Sequence, residues 1–526
     1  MAGAYQGREN VAGSLSLKQP IAFIAWLSKG PFRGVADMKF NARNKARLLG
    51  KVALVALAAG ALAGSVAWAQ NTRSGQEWTT PLEPAPRDAA TNLANKIMEP
   101  FTVVAVGDVM VKRPIGNLDI PAFHDIAKLM QDADVTHGNM EGNLGDLDHF
   151  VGPLRGMMGD KDVAPALKEM GFDIMGRANN HVFDSERESL FSTMEQLDKA
   201  GIIHAGDGRD LEEARAPAYY DSAKGRVALV SMHGPNNPDA APSAATYRSG
   251  NIGGRVGFNP INYTIWFNVT QEQMDTLKKM RQSLYTAPAG TTNVSSLPAN
   301  EPADRLEFLN NHYKIGTPGT RNFVMNPSDL KENLRSIRNG KYLSDFEIVN
   351  CHCHQGPITS QQWLFEDQTP DMLIELAHGA VDNGADMFVG SGPHVLRGIE
   401  IYKGKPIFYG LGENYYQWQH FDADVLSGSW AREEPKEGVD VRVSQALRAI
   451  NFESVVTKSY YDKGKLVEVR LYPTEGGWNG PISQLGMPRT PSPEQANKIL
   501  TRLAALSKPF GTDIVIEKGV GYIRIK

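Results

Sequence analysis

Six places along the chain carry side chains able to hold a divalent cation, and each follows a short apolar run. Asp108 follows "FTVVAVG", Asn139 and Glu141 follow "DVTHG", and Asn180 and His181 lie in "ANNHVFD" after "FDIM". His233 follows "VALVSM", His352 and His354 follow "FEIVN", and His394 closes "GSGPH" after "MFV". Carboxylate, amide oxygen and neutral imidazole all bind such cations. Taken singly, each is explained as a helix cap or a solvated turn, because short polar motifs occur often by chance. Their recurrence at successive strand ends is the argument, since capping favours Ser, Thr, Asp and Asn over histidine. His233 is the weakest of the set and is expected not to be a ligand. Such a cluster would hold one or two metal ions of the Mn, Fe or Zn type. Two metals sharing a water would lower its pKa and activate it for hydrolysis.

The elements that must position these residues are legible in the pattern. Residues 101–106, 134–137, 172–175, 202–205, 227–232, 346–350, 387–389 and 406–411 read as strands. Between them, helices are expected at 121–131, from an Asp162 cap through Met170 with Gly171 as the stop, and at Leu190, Met194 and Leu197 before Gly201. Thr270 and Gln273 form a capping box for a helix to about Leu284, and Thr369-Pro370 opens another that ends at Gly384. A strand at 466–472, a helix at 493–507 and a last strand at 522–525 finish the chain. Alternating strands and helices predict an α/β protein with helices packed on sheet faces. If the strands run parallel, their carboxyl ends gather the six places on one edge. Alternation along 350–354 puts His352 and His354 on one face, and Cys351 and Cys353 on the other, buried as small hydrophobes.

The chain has 526 residues, 41% of them hydrophobic and 22% charged, with a net charge of −4. That composition fits a globular protein, and no basic stripe suggests a nucleic-acid partner. Two cysteines exclude a disulfide framework. Residues 1–37 read as unstructured or as an upstream-start artefact. Residues 38–69 pair a basic start with an apolar run and end in "AWAQ", a signal-peptide pattern with cleavage after Ala69 and a periplasmic or secreted product. Left uncleaved, this segment would tether the protein to a membrane. Residues 70–100 read as a linker. The remainder, 101–526, forms one domain interrupted at about 236–341 by an insertion, within which 286–304 is a Pro-, Ser- and Thr-rich surface excursion.

Several stretches carry a family likeness. "VVAVGDVM" at 103–110, "DADVTHGNMEGNL" at 132–144, "GFDIMGRANNHVFD" at 171–184 and "GADMFVGSGPHVLRGIEIYKGKPIFYGLGEN" at 384–414 resemble the CapA family of poly-γ-glutamate capsule biosynthesis proteins. That family looks like a branch of the calcineurin-like metallophosphoesterases. The resemblance implies a metallophosphatase-like four-layer α/β sandwich, with two mixed sheets flanked by helices and a site of dinuclear type. Asp108 takes the first metal position, Glu141 or Asn139 the bridging one, and Asn180 and His181 the Asn-His pair. His354, with His352 as competitor, takes the next histidine position, and His394 the last. Asp184 resembles the carboxylate that orients His181, and these two are the candidates for proton transfer. The implied function is metal-dependent hydrolysis of a small-molecule phosphoester or of an amide in an anionic polymer. The alternative is a non-hydrolytic part in making, anchoring or exporting such a polymer. The chain departs from the calcineurin-like pattern at Met110 and Gly392, where histidines are usual, and at Glu413, where the CapA pattern often has Asn.

Overall fold

The computed structural model describes residues 95–525, apart from 115–119, 155, 236–242, 287–301, 360–365, 418–448 and 479–483. The signal-peptide and linker expectations therefore lie largely outside the described residues, as does most of the 286–304 excursion. Residues Pro86–Lys526 form one compact unit.

The first half alternates strand and helix. β1 (Phe101–Met110), α1 (Pro121–Gln131), β2 (Val135–Met140), α2 (Val163–Glu169), β3 (Ile174–Gly176), α3 (Glu186–Ala200) and β4 (Ile203–Ala205) follow in order. β1 to β4 lie side by side and parallel. β5 (Ala218–Ser222) and β6 (Gly225–Gly234) then form an antiparallel pair that starts a second sheet. After the insertion come α5 (Pro327–Tyr342), β11 (Phe346–Cys353), α6 (Asp371–Asp382), β12 (Met387–Ser391), β13 (Ile399–Tyr402) and β14 (Lys405–Phe408). These complete the second sheet in the order β13-β14-β12-β11-β6-β5, with a parallel centre. β15 (Glu413–Tyr416) crosses back to run parallel to β1. β16 (Glu453–Asp462), β17 (Lys465–Glu475), α7 (Pro493–Ser507), β18 (Val515–Glu517) and β19 (Val520–Arg524) extend the first sheet on its antiparallel side.

Three apolar layers hold this together. Val103, Ala105, Val135 and Ile174 of the first sheet meet Leu229, Ile348, Met387 and Val389 of the second. The opposite face of the first sheet, through Val104 and Val106, packs on Ile126, Met130, Leu167 and Leu197 of its helices. The outer face of the second packs on Ile337, Met372 and Leu376. The result is the four-layer sandwich of two mixed sheets flanked by helices that the resemblance implied. The central strands, Phe101–Met110, Gly225–Gly234, Phe346–Cys353 and Met387–Ser391, are mostly buried on both faces because both faces are covered.

Within 236–341, β7 (Tyr263–Val269), β8 (Arg305–Phe308), β9 (Asn311–Ile315) and β10 (Arg321–Met325) form a separate four-stranded sheet. Helix α4 (Gln271–Leu284) opens with the expected Thr270–Gln273 capping box. Met274 of this helix packs on Leu306 and Phe308. The helix boundaries at 121–131 and 493–507 match the sequence reading. Asp162 stands at the N-cap of α2, but its side chain makes no capping bond: at φ −73°, ψ −6° the residue is already helical, where a capping residue is extended. Several strands run longer than their apolar runs, so Asp108 lies inside β1 and His352 inside β11 rather than beyond their ends.

Candidate metal centre

The two sheets bring their carboxyl edges together, and the chemistry gathers there. Asp108 is flanked in backbone register by Asn139 of β2 on one side and Glu413 of β15 on the other. Its strand is irregular at this point. Gly107 allows the chain at Gly412 to come so close that a Cβ would lie 1.9 Å from the Gly412 carbonyl oxygen. Asp108 N donates to that same carbonyl at 3.1 Å. The Asp108 carboxylate accepts from Asn139 Nδ2 at 2.7 Å and from the Gly392 backbone N–H of the second sheet at 2.8 Å. His352 Nδ1 stands 3.5 Å from it.

Glu141 follows β2 and is fully buried. One of its oxygens lies 3.4 Å from His352 Nε2 and 3.7 Å from His181 Nε2. Asn180 Oδ1 lies 2.8 Å from His352 Nε2 and 3.3 Å from His354 Nε2, and these two nitrogens are 2.9 Å apart. His181 turns Nδ1 to Asp184 at 2.6 Å. Asn179 donates to the Met140 carbonyl at 2.8 Å and accepts from His181 N at 3.1 Å, a structural part. His394 contacts Glu413 through Nδ1 and sits at φ +55°, a left-handed conformation uncommon for a non-glycine residue.

All of Asp108, Asn139, Glu141, Asn180, His181, His352, His354 and His394 therefore meet in one place. Ligand atoms of Asp108, Glu141, His394 and Glu413 fall within 4.8 Å of one another, as do those of Glu141, His354 and His394. The sequence reading had left Asn139 against Glu141, and His352 against His354, as alternatives; both members of each pair face the cluster. Glu413 was passed over as a departure from the family pattern. The rule that found the others would have found it, because it follows the apolar run "PIFYGL". His233 packs behind the cluster, with Nδ1 2.9 Å from the His352 carbonyl and its ring against Phe258. Cys351 and Cys353 point the other way, into the core beneath α6.

The electrostatics suit a cation. Burial lowers the pKa of His352, that of His354 further, and that of His394 to about 4, so all three imidazoles are neutral at pH 7 and offer lone pairs. Burial also raises Asp108, but contact with His352 and the Gly392 N–H outweigh it and hold the group below its usual value. Glu141 is driven well above the carboxylate range by burial, then by Asp108 and Asp184. Among the described residues neither Glu141 oxygen has a hydrogen-bond partner, and Glu413 Oε2 and Asn139 Oδ1 also lack one. Buried acceptors without donors are costly. A divalent cation among them is the compensation this donor set fits.

One of the departures now has a physical reason. Gly392 has φ +108°, and a Cβ there would lie 3.1 Å from Cys353 N and 3.2 Å from His352 Nε2. A histidine does not fit this turn, and the backbone N–H serves Asp108 instead. Met110 is buried apolar mass, with Val109 and Val111 beside it.

Carboxylates, amides and imidazoles thus converge at the strand ends of a two-sheet sandwich. Residues 102–417 match the model of the bacterial capsule synthesis protein PGA_cap family. The chain belongs to that family. It is 35% identical over 460 residues to the uncharacterized protein y4sH of Sinorhizobium fredii, covering 83% of this chain and 96% of that one. It is 22% identical over 337 residues to the capsule biosynthesis protein CapA of Bacillus anthracis, 62% of each chain. Among solved structures, a putative 5'-nucleotidase from Staphylococcus aureus aligns with a TM-score of 0.29 at 10% identity, over 70% of this chain and 52% of that one.

Proposed function

We propose that this protein is an exported, metal-dependent hydrolase that acts on a phosphoester or on an amide of an anionic polymer within capsule synthesis. The observation that carries the reading is the buried set of Asp108, Glu141, His394 and Glu413, with ligand atoms within 4.8 Å of one another, joined by His352, His354 and Asn180. These residues, with Asn139, would hold one or two divalent ions of the Mn, Fe or Zn type. Such a metal supplies Lewis acidity and a water of lowered pKa.

The chain's own groups supply the rest. Asp184 fixes the His181 ring through Nδ1 at 2.6 Å and leaves Nε2 facing the cluster. His181 Nε2 is thus placed to exchange a proton with an attacking or leaving oxygen. The ring is slightly exposed, with 12% of its side chain reachable, while the carboxylates behind it are closed off. Substrate would approach on the His181 side, and water would be excluded behind. Export rests on the signal-peptide pattern of residues 38–69, with an uncleaved tether to a membrane as its alternative.

A second reading is a binding site for an anionic polymer during its assembly or export. The turn at Gly392 favours it, because that turn leaves the cluster one imidazole short of the usual calcineurin-like set.

The test is hydrolysis of bis(p-nitrophenyl) phosphate and of poly-γ-glutamate by purified protein, after EDTA treatment and after addition of Mn²⁺. Elemental analysis of the same sample measures the bound metal. Metal-dependent turnover that is lost in Asp108→Ala and His181→Ala supports the hydrolase. Bound metal with no turnover on either substrate leaves the binding reading in its place. Protein that takes up no metal overturns both.

A further inference from the structure

Behind Glu141 lies an arginine that the site as described does not use. Arg177 is fully buried. Its Nη1 donates to the carbonyl of Met140 at 3.2 Å and to that of Gly142, the residues on either side of Glu141. Its Nη2 donates to Asn143 Oδ1 at 3.3 Å, and Asn143 Nδ2 in turn donates to the His181 carbonyl at 2.5 Å. Its Nε lies 3.2 Å from Asp207, a buried carboxylate that His204 flanks at 3.6 Å. One planar guanidinium thus grips the carbonyls of the residues before and after Glu141 and reaches the His181 turn through Asn143. Among the described residues the Glu141 oxygens have no hydrogen-bond partner, so the backbone on either side of Glu141 sets where its carboxylate points.

Burial of an arginine costs several kcal/mol, and a core position would be filled more cheaply by a hydrocarbon. Asp207 neutralises the charge but does not explain its placement. Lysine cannot substitute, because it is a point donor and lacks the rigid fork that serves several acceptors at once.

We propose that Arg177 is the positioning residue of the metal centre, fixing the Glu141 carboxylate through the carbonyls of Met140 and Gly142 and linking it to His181 through Asn143. The inference rests on the reading of the cluster as a metal site. Groups that orient metal ligands typically contribute 10–100-fold in metal affinity, and a loss of that order is expected here.

The experiment is a Mn²⁺ titration of the full chain after EDTA treatment, by calorimetry and by the loss of the free-ion EPR signal. It compares wild type, Arg177→Lys, Asp207→Asn and Ile337→Ala. Ile337→Ala loosens the helix-layer core and controls for instability alone. Arg177→Lys keeps the charge and should lose roughly 10–100-fold in Mn²⁺ affinity, while Ile337→Ala binds as wild type does at temperatures where both are folded. Asp207→Asn leaves the guanidinium in place with a weaker anchor and should fall between them. Should Arg177→Lys fail to fold, Asp207→Asn carries the test. Wild-type affinity in a folded Arg177→Lys overturns the proposal while the metal reading stands. Absence of Mn²⁺ binding by the wild type would remove the metal reading itself. Equal losses in Arg177→Lys and Ile337→Ala would reduce Arg177 to a general stabiliser and also overturn it.

Discussion

Glu141→Gln should move stability in opposite directions with and without metal. In the metal-free protein, Glu141 is fully buried, its oxygens lack hydrogen-bond partners, and burial with Asp108 and Asp184 raises its pKa. A group whose folded pKa is raised contributes stability below its unfolded value, about 4.3 for Glu, and loses it as pH rises through the folded pKa. Glutamine does not ionise. Metal-free Glu141→Gln should therefore lack that decline and be the more stable protein at pH 7 to 8. Metal reverses the order. A ligand at 100 times its Kd adds about 2.7 kcal/mol to the folded state. At about 2.1 cal/mol/K per residue, the unit Pro86–Lys526 unfolds with an entropy of roughly 0.9 kcal/mol/K. The wild-type melting temperature should then rise by about 3 °C at that Mn²⁺ concentration. If the variant binds 100-fold more weakly, the same concentration adds only about 0.4 kcal/mol, or ~0.5 °C. Scanning calorimetry between pH 6 and 8, with EDTA and with Mn²⁺, measures all four conditions. Equal metal-induced shifts in both proteins would refute Glu141 as a ligand. Parallel pH slopes in the two metal-free proteins would refute the account of its buried charge.

Three further outcomes are expected. Glu413→Asn, which installs the residue common in the family, should weaken Mn²⁺ binding about tenfold or more, as loss of a charged ligand does; unchanged affinity in a competition titration would remove Glu413 from the site. His352→Ala and His354→Ala should each lower bound metal in elemental analysis, since both Nε2 atoms face Asn180 Oδ1; a full complement in either variant identifies that histidine as a bystander. Glu347 is fully buried with no hydrogen-bond partner on either oxygen among the described residues, and burial outweighs nearby Lys341 to raise its pKa. Its contribution is present below the ordinary carboxylate value and lost as pH rises, so Glu347→Gln should gain stability relative to wild type from pH 5 to pH 8 in urea melts; a pH-independent difference would contradict this.

The sequence by itself determined the layered α/β fold, because strands covered on both faces must be apolar throughout and helices must show one apolar stripe. It determined the helix limits where the local chemistry is self-sufficient, as at the Thr270–Gln273 box and the Gly201 stop. It also gave the metal candidates, since each ligand follows an apolar run and the chain order of such runs is a one-dimensional property. Tertiary structure decided what depends on the approach of distant segments. The choice between Asn139 and Glu141 dissolved because Asn139 lies beside Asp108 in β2, while Glu141, just past the strand, brings its carboxylate to His352 and His181. The choice between His352 and His354 dissolved because β11 runs on past its apolar stretch and delivers both rings. Glu413 entered the site only through the return of β15 alongside β1, and Arg177 gained its place only because the Glu141 turn closes around it. A sequence records which side chains can coordinate or donate. Which of them converge is set by the packing of two sheets, whose contacts join residues as far apart as Asp108 and Gly392.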